Sequence, residues 1–148
     1  MGFGFDTHEF EQYEKELLSL AKTKLPKESK KFLKKSATKL TKANKNSFKS
    51  SNAAAGSGAT EAEMLKRFKA GKVYKYNGDL TCRAYSSHPL AHLLDLGFIH
   101  KGGFKVKSGA EKFIPGYHFM DKAKGSFETI YYTDTQNFIS DMLDKKGL

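Results

Sequence analysis

The chain has one cysteine, Cys82, no tryptophan and three prolines in 148 residues. A single thiol excludes an intramolecular disulfide and a four-cysteine zinc site. No apolar run approaches the roughly 18 residues of a membrane span, and the N-terminus lacks the basic-then-apolar order of a signal peptide. Neither secretion by that route nor a membrane partner is expected. Acids are scarce in one stretch: residues 22–49 hold eleven lysines, no arginine and a single acid, Glu28. That segment carries +10, the whole net charge, because the other 120 residues hold 15 basic and 15 acidic groups. Just before it lie Glu9, Glu11, Glu14 and Glu16.

Against these absences stand 12 Phe and 7 Tyr, large pieces of area to bury in a chain whose length suits one core but hardly two. Residues 1–148 therefore read as a single domain. Asp6-Thr7-His8-Glu9 has the form of a capping box, and Phe10, Tyr13, Leu17, Leu20 and Ala21 follow at spacings of three and four. This predicts an amphipathic helix over about 7–24, interrupted at Leu25-Pro26. From Pro26 a second stripe runs through Phe32 or Leu33, Ala37, Leu40 and Ala43 or Asn44, with lysines on the remaining faces. It predicts a long basic helix over about 26–49.

Residues 50–60, SSNAAAGSGAT, offer no apolar face and predict a mobile loop, as does the Gly/Lys-rich stretch 100–112. Thr60-Glu61-Ala62-Glu63 is a second capping box, ahead of a short helix carrying Met64, Leu65 and Phe68. The period then changes to two. Residues 72–76 and 79–85 flank Asn77-Gly78, two residues that tolerate the positive φ angles of a type I′ hairpin turn. Residues 89–96 predict a two-turn helix ended by Gly97, and 98–100 with 104–106 predict a second hairpin or a flap. Phe119, Ala123, Phe127, Ile130 or Tyr131, Phe138 and Met142 predict a last helix over about 117–144, with Gly125 as its weak point. The order α-α-β-β-α-β-α describes an α+β domain on a small antiparallel β-sheet.

Three constellations bear on chemistry. His88, His92 and Asp95 have helical spacing for one face, as metal ligands do, but the Glu of a His-Glu-x-x-His site is missing. Pro89 opens the first turn there, which makes His88 a cap rather than a ligand. Cys82 sits mid-strand with nothing to acidify it, so a small half-buried side chain is expected rather than a nucleophile. Gly2-Phe3-Gly4 and Gly56-Ser57-Gly58 lack the preceding strand and following Lys-Ser/Thr of a phosphate loop. No catalytic, cofactor-binding or metal residue is assigned, and no enzyme activity is expected. The lysine-rich segment suits non-specific contact with a nucleic-acid backbone or a solvated face, since it has no bidentate base reader.

Three segments together resemble the small tail-component family of tailed bacteriophages, of the lambdoid siphophage type, whose members resemble tail terminator and head-to-tail joining proteins. The first is the Leu/Ala seam embedded in Lys of the N-terminal helices. The most specific is Ala91-His92-Leu93-Leu94-Asp95-Leu96-Gly97, similar to the family's His-x-x-x-Glu-x-Gly with Asp95 in place of Glu. The third, Phe113-Ile114-Pro115-Gly116-Tyr117-His118-Phe119-Met120 with Ala123, is similar to the family's Pro-x-x-Phe-x-x-x-Ala lead into the last helix. Where the family commonly has Thr-Gly-x-Leu before the first strand, this chain has Gly58-Ala59-Thr60 and then Glu61-Ala62-Glu63.

The resemblance implies a tail-terminator-like fold, with a small antiparallel β-sheet packed against long N-terminal and C-terminal helices. It also implies a non-catalytic virion protein of the tail or neck, assembled in the host bacterial cytoplasm as a homo-oligomeric ring, a hexamer. The implied partners are other copies of itself, the tail tube protein, the head-completion or connector proteins and, transiently, passing DNA. In that setting Gly97 ends a helix, Pro115-Gly116 orients the last one, and Phe119 and Phe127 pack it on the sheet. Two other classes compete: a small basic protein that binds nucleic acid non-specifically through residues 22–49, and a metal-dependent hydrolase using His88, His92 and Asp95.

Overall fold

The structure, a computed structural model, describes residues 7–55, 59–100 and 111–145. The fold is α+β. Its longest feature is one unbroken helical rod, made of α1 (Thr7–Ser19), a π-helical segment (Leu20–Lys24) and α2 (Leu25–Ser51). The expected interruption at Leu25-Pro26 does not occur. Proline lacks an N–H and its ring collides with the carbonyl four residues back, but a widened turn just before it makes room without ending the helix. Leu25 N–H reaches Leu20 O in that wider register, and the Thr23 hydroxyl donates to Ser19 O at 2.6 Å. The Asp6 half of the first capping box lies outside the described residues.

The rod ends at Asn52, which takes a left-handed conformation (φ 56°) that Asn tolerates well. Residues 50–55 are not the apolar-free loop expected from their composition: Ser50 and Ser51 finish α2, and Ala53 is fully buried in the core. Residues 56–58 lie outside the described set. Thr60 caps α3 (Glu61–Lys66) as its box predicts, with its hydroxyl accepting Glu63 N–H at 3.2 Å. Phe68, expected on that helix, instead opens strand β1 (Phe68–Ala70).

The remaining strands are β2 (Tyr74–Tyr76), β3 (Asp79–Thr81), β4 (Ala84–Ser86), β5 (Gly97–His100) and β6 (Lys112–Pro115). They form three separate two-stranded antiparallel ladders, β1–β4, β2–β3 and β5–β6, rather than a single sheet. Asn77 (φ 49°) and Gly78 (φ 84°) make the expected hairpin turn. The hairpin is shorter than 72–85, however, because β4 leaves it to pair with β1, Phe68 opposite Ser86. In the third ladder Phe98 faces Ile114 and Ile99 faces Phe113, so the partner of the 97–100 strand is 112–115. The proposed partner 104–106 lies outside the described residues, as does most of the expected loop 100–112.

Helix α4 (Ala91–Leu96) and the last helix α5 (Phe119–Asp144) fall close to their expected bounds, and α5 runs through Gly125 without a break. It lies antiparallel along α2: Ser47 Oγ donates to Phe119 O at 2.6 Å, Lys39 pairs with Asp134, and the Phe32 and Phe138 rings stack 4.6 Å apart. Where the two helices meet β1, three rings make the centre of the core. Phe119 stands edge-on to Phe48 and Phe68, at 5.1 and 6.0 Å between centroids. Met64 and Ala53 complete this cluster. Burying a side chain of Phe size contributes about 1.5–3 kcal/mol, so these rings hold α2, β1 and α5 together. Phe127 differs: it is half-buried, and its ring neighbour is Tyr131 on the same helix rather than a strand.

Candidate functional site

The two stretches that carry the most specific resemblance, residues 91–97 and 113–120, are brought together in space. The orphan carbonyls at the end of α4 are taken by the chain entering α5: Tyr117 N–H donates to Leu94 O at 2.8 Å and His118 N–H to Asp95 O at 2.9 Å. In return an Asp95 carboxylate oxygen accepts Met120 N–H at 3.1 Å, one of the unpaired donors in the first turn of α5. An acid at that place also suits the positive end of the helix dipole. His118, at the helix start, has φ 51° and supplies no side-chain cap, so Asp95 reaches across from a different helix.

Glycines permit this clasp. Gly97 has φ 90° and ψ 170°, a region only glycine occupies readily, and a Cβ there would stand 2.6 Å from Ile114 O. A Cβ on Gly116 would collide with the Asp95 carbonyl. Gly97 thus ends α4, and Gly116 sets the path into α5.

His88, His92 and Asp95 do not form a metal centre. His88 Nδ1 accepts Leu90 N–H at 3.1 Å, the capping role expected for it; His92 is exposed; Asp95 is engaged with α5. Among the described residues no three His, Cys, Asp or Glu side chains are placed to hold a metal ion. Cys82 is half-buried with Sγ 3.3 Å from Gly71 O.

Of the eleven lysines in 22–49, all but the half-buried Lys45 are exposed. Two have specific duties that composition does not reveal. Lys34 Nζ donates to Ala70 O at 3.1 Å and Gly71 O at 2.6 Å, tying the end of β1 to α2, and Lys39 pairs with Asp134 of α5. Lys31 lies 3.6 Å from Glu28 in an exposed pair of little energetic weight. A second feature lies beyond sequence reasoning: the Arg83 guanidinium stands 5.8 Å from the centroids of both Tyr74 and Tyr85, which belong to different ladders. Tyr-x-x-x-x-x-x-x-x-Arg-x-Tyr has no local period that would have signalled it.

Several large apolar side chains are exposed. Ile99 and Phe113, direct cross-strand neighbours on β5 and β6, are 58% and 61% exposed, and Leu96, the last residue of α4, is 61% exposed. Ile130, Tyr132 and Ile139 lie open on α5. Among the described residues no helix is long and apolar enough to cross a membrane. No family model, curated protein or solved structure matches the chain.

Proposed function

We propose that the protein is a structural subunit of a bacteriophage or phage-derived tail, acting as a tail terminator or head-tail joining ring, with no catalytic role. The observation that carries this reading is the clasp. The segments 91–97 and 113–120, which resemble the phage family by motif, are mutually dependent: Asp95, the residue in place of the family's Glu, caps the helix that the second motif begins. Motif residues with a shared structural task are stronger support than two isolated short matches. The exposed neighbours Ile99 and Phe113 add to it, since apolar side chains grouped on a surface mark sites of association.

On this reading the chain forms a ring, a hexamer by the family resemblance, that meets the tail tube on one face and head-completion proteins on the other, in the neck of the virion. Negative-stain imaging of the purified protein beside whole particles tests it. The expected outcome is a discrete ring that matches a layer at the tail end, and particles assembled without the chain should contain heads and tails that fail to join. A subunit that stays monomeric, with particles complete in its absence, would reject the proposal.

The exposed lysines of α2 favour a second reading, non-specific binding to a nucleic-acid backbone through residues 22–49. Its signature is an affinity whose logarithm falls steeply with the logarithm of salt concentration. The ring reading expects little DNA affinity at physiological salt.

A further inference from the structure

We infer that the outer face of the β1–β4 and β2–β3 ladders binds single-stranded nucleic acid, with bases stacked on Tyr74, Tyr76 and Tyr85 and phosphates held by the cations around them. In β1 the Phe68 ring enters the core, so Lys69 and its cross-strand partner Tyr85 face outward. Tyr74 and Tyr76, two residues apart on β2, share one face of the neighbouring hairpin. Arg83 joins the two ladders into one surface, because its guanidinium lies over both the Tyr74 and the Tyr85 ring, 5.8 Å from each centroid. Tyr74 is 38% exposed, Tyr85 39% and Tyr76 62%.

Charge indicates the ligand. Residues 64–94 hold six basic side chains, Lys66, Arg67, Lys69, Lys72, Lys75 and Arg83, all exposed, against one acid, Asp79. None of the six is in an ion pair among the described residues. Asp79 stands opposite Tyr76 at the turn end of the hairpin, whereas Arg83 reaches Tyr74 at the other end. Lys34, held by the Ala70 and Gly71 carbonyls, adds a cation at the margin.

Rings and cations together suit a single strand, since every base has a face to stack on Tyr or Arg and the backbone can follow the lysines without reading sequence. In a duplex the bases already stack on one another and must be pulled out to reach the tyrosines, at a cost of a few kcal/mol. A protein partner fits less well. The centres of protein interfaces are poor in Lys and rich in apolar contacts, whereas the ladder partners of Tyr85, Tyr74 and Tyr76 are Lys69, Thr81 and Asp79. This face is separate from residues 22–49, and the inference does not rest on the ring reading. Each phosphate contact adds about 0.7 to the salt dependence of a single strand, so binding is strong at low salt and weak at physiological salt, in keeping with a ring that holds little DNA.

The test measures fluorescence anisotropy of labelled oligothymidine and oligouridine, each of about 20 nucleotides, and of a duplex of the same length, at low salt. The single strands should bind at least about tenfold more tightly than the duplex, and the tighter of the two identifies the sugar that the site prefers. Tyr76→Ala and Tyr85→Ala should each weaken oligothymidine binding about fivefold or more, while Tyr76→Phe and Tyr85→Phe stay within about twofold of the wild type. Lys69→Gln with Lys72→Gln should lower the salt slope by about 1, and Lys30→Gln with Lys42→Gln on α2 should leave affinity within about twofold. Circular dichroism of each variant reports folding. If the alanine variants fail to fold, ultraviolet cross-linking of oligothymidine to the wild-type chain locates the contact, expected in peptides that hold Tyr74, Tyr76 or Tyr85. Cross-links only elsewhere, alanine variants that bind like the wild type, equal affinity for the duplex, or displacement by polyglutamate at equal charge would each overturn this site. Imaging of the ring decides the earlier reading separately.

Discussion

Gly97 and Gly116 lie back to back: a Cβ on Gly97 would stand 2.8 Å from the Gly116 nitrogen, and one on Gly116 would stand 2.5 Å from the Gly97 nitrogen. Real Cβ atoms do not approach backbone so closely, and the backbone at both sites is held by the α4–α5 clasp. Gly116→Ala should therefore destabilise the fold by about 1–3 kcal/mol, the usual cost of overpacking. Gly97→Ala should cost at least as much, because its φ of 90° adds strain. Denaturant melts check both, and wild-type midpoints would show that the two glycines do not touch.

Gly125 provides the opposite case. It lies inside α5, and a Cβ there meets nothing within 4 Å. Gly125→Ala should raise stability by about 0.5–1 kcal/mol, through the helix preference of alanine and the lower chain entropy of the unfolded state. A loss of stability would mean that α5 needs a bend there.

Asp95 should act as a cap and not as a ligand. Asp95→Ala leaves Met120 N–H without its acceptor and should cost about 1 kcal/mol, with the loss read in a thermal melt. Asp95→Asn keeps an acceptor oxygen and should recover more than half of it. Equal losses in the two variants would assign the effect to charge alone.

Two phenylalanines on one helix should respond differently. Phe119 is fully buried among Phe48, Phe68 and Met64, and Phe119→Ala should cost about 3–5 kcal/mol. Phe127 is half-buried against Tyr131, so Phe127→Ala should cost only about 1 kcal/mol. Similar losses at both sites would place Phe127 in a second core.

Lysines that composition treats alike should also separate. Lys34→Met removes both bonds to the Ala70 and Gly71 carbonyls, whereas the exposed Lys30 has no such partner among the described residues. Lys34→Met should lower the melting temperature more than Lys30→Met and speed hydrogen exchange in residues 68–71. Equal effects would return Lys34 to the solvated face.

Helices, caps and the Asn77-Gly78 turn were legible in the sequence because their causes are local. An apolar repeat of three and four, the Thr60 hydroxyl three residues before Glu63, and two residues that accept positive φ act within one turn of chain. What lay beyond that range was decided by tertiary structure. Pro26 reads as a stop, yet the helix passes it, because one widened turn just before the proline makes room for its ring without ending the rod. Phe68 fits the end of a helical stripe, but β4 offers its backbone a ladder and Phe48 and Phe119 offer its ring a core. The same limit applies to the candidate site. The residue types of 91–97 and 113–120 stood out as motifs, but only the approach of α4 to α5 makes Asp95 the cap of Met120 and leaves room for nothing but glycine at 97 and 116. Periodicity carries information along the chain over a few residues, whereas the orphan donors of one helix and the clash limits of a crossing depend on which distant backbone arrives beside them.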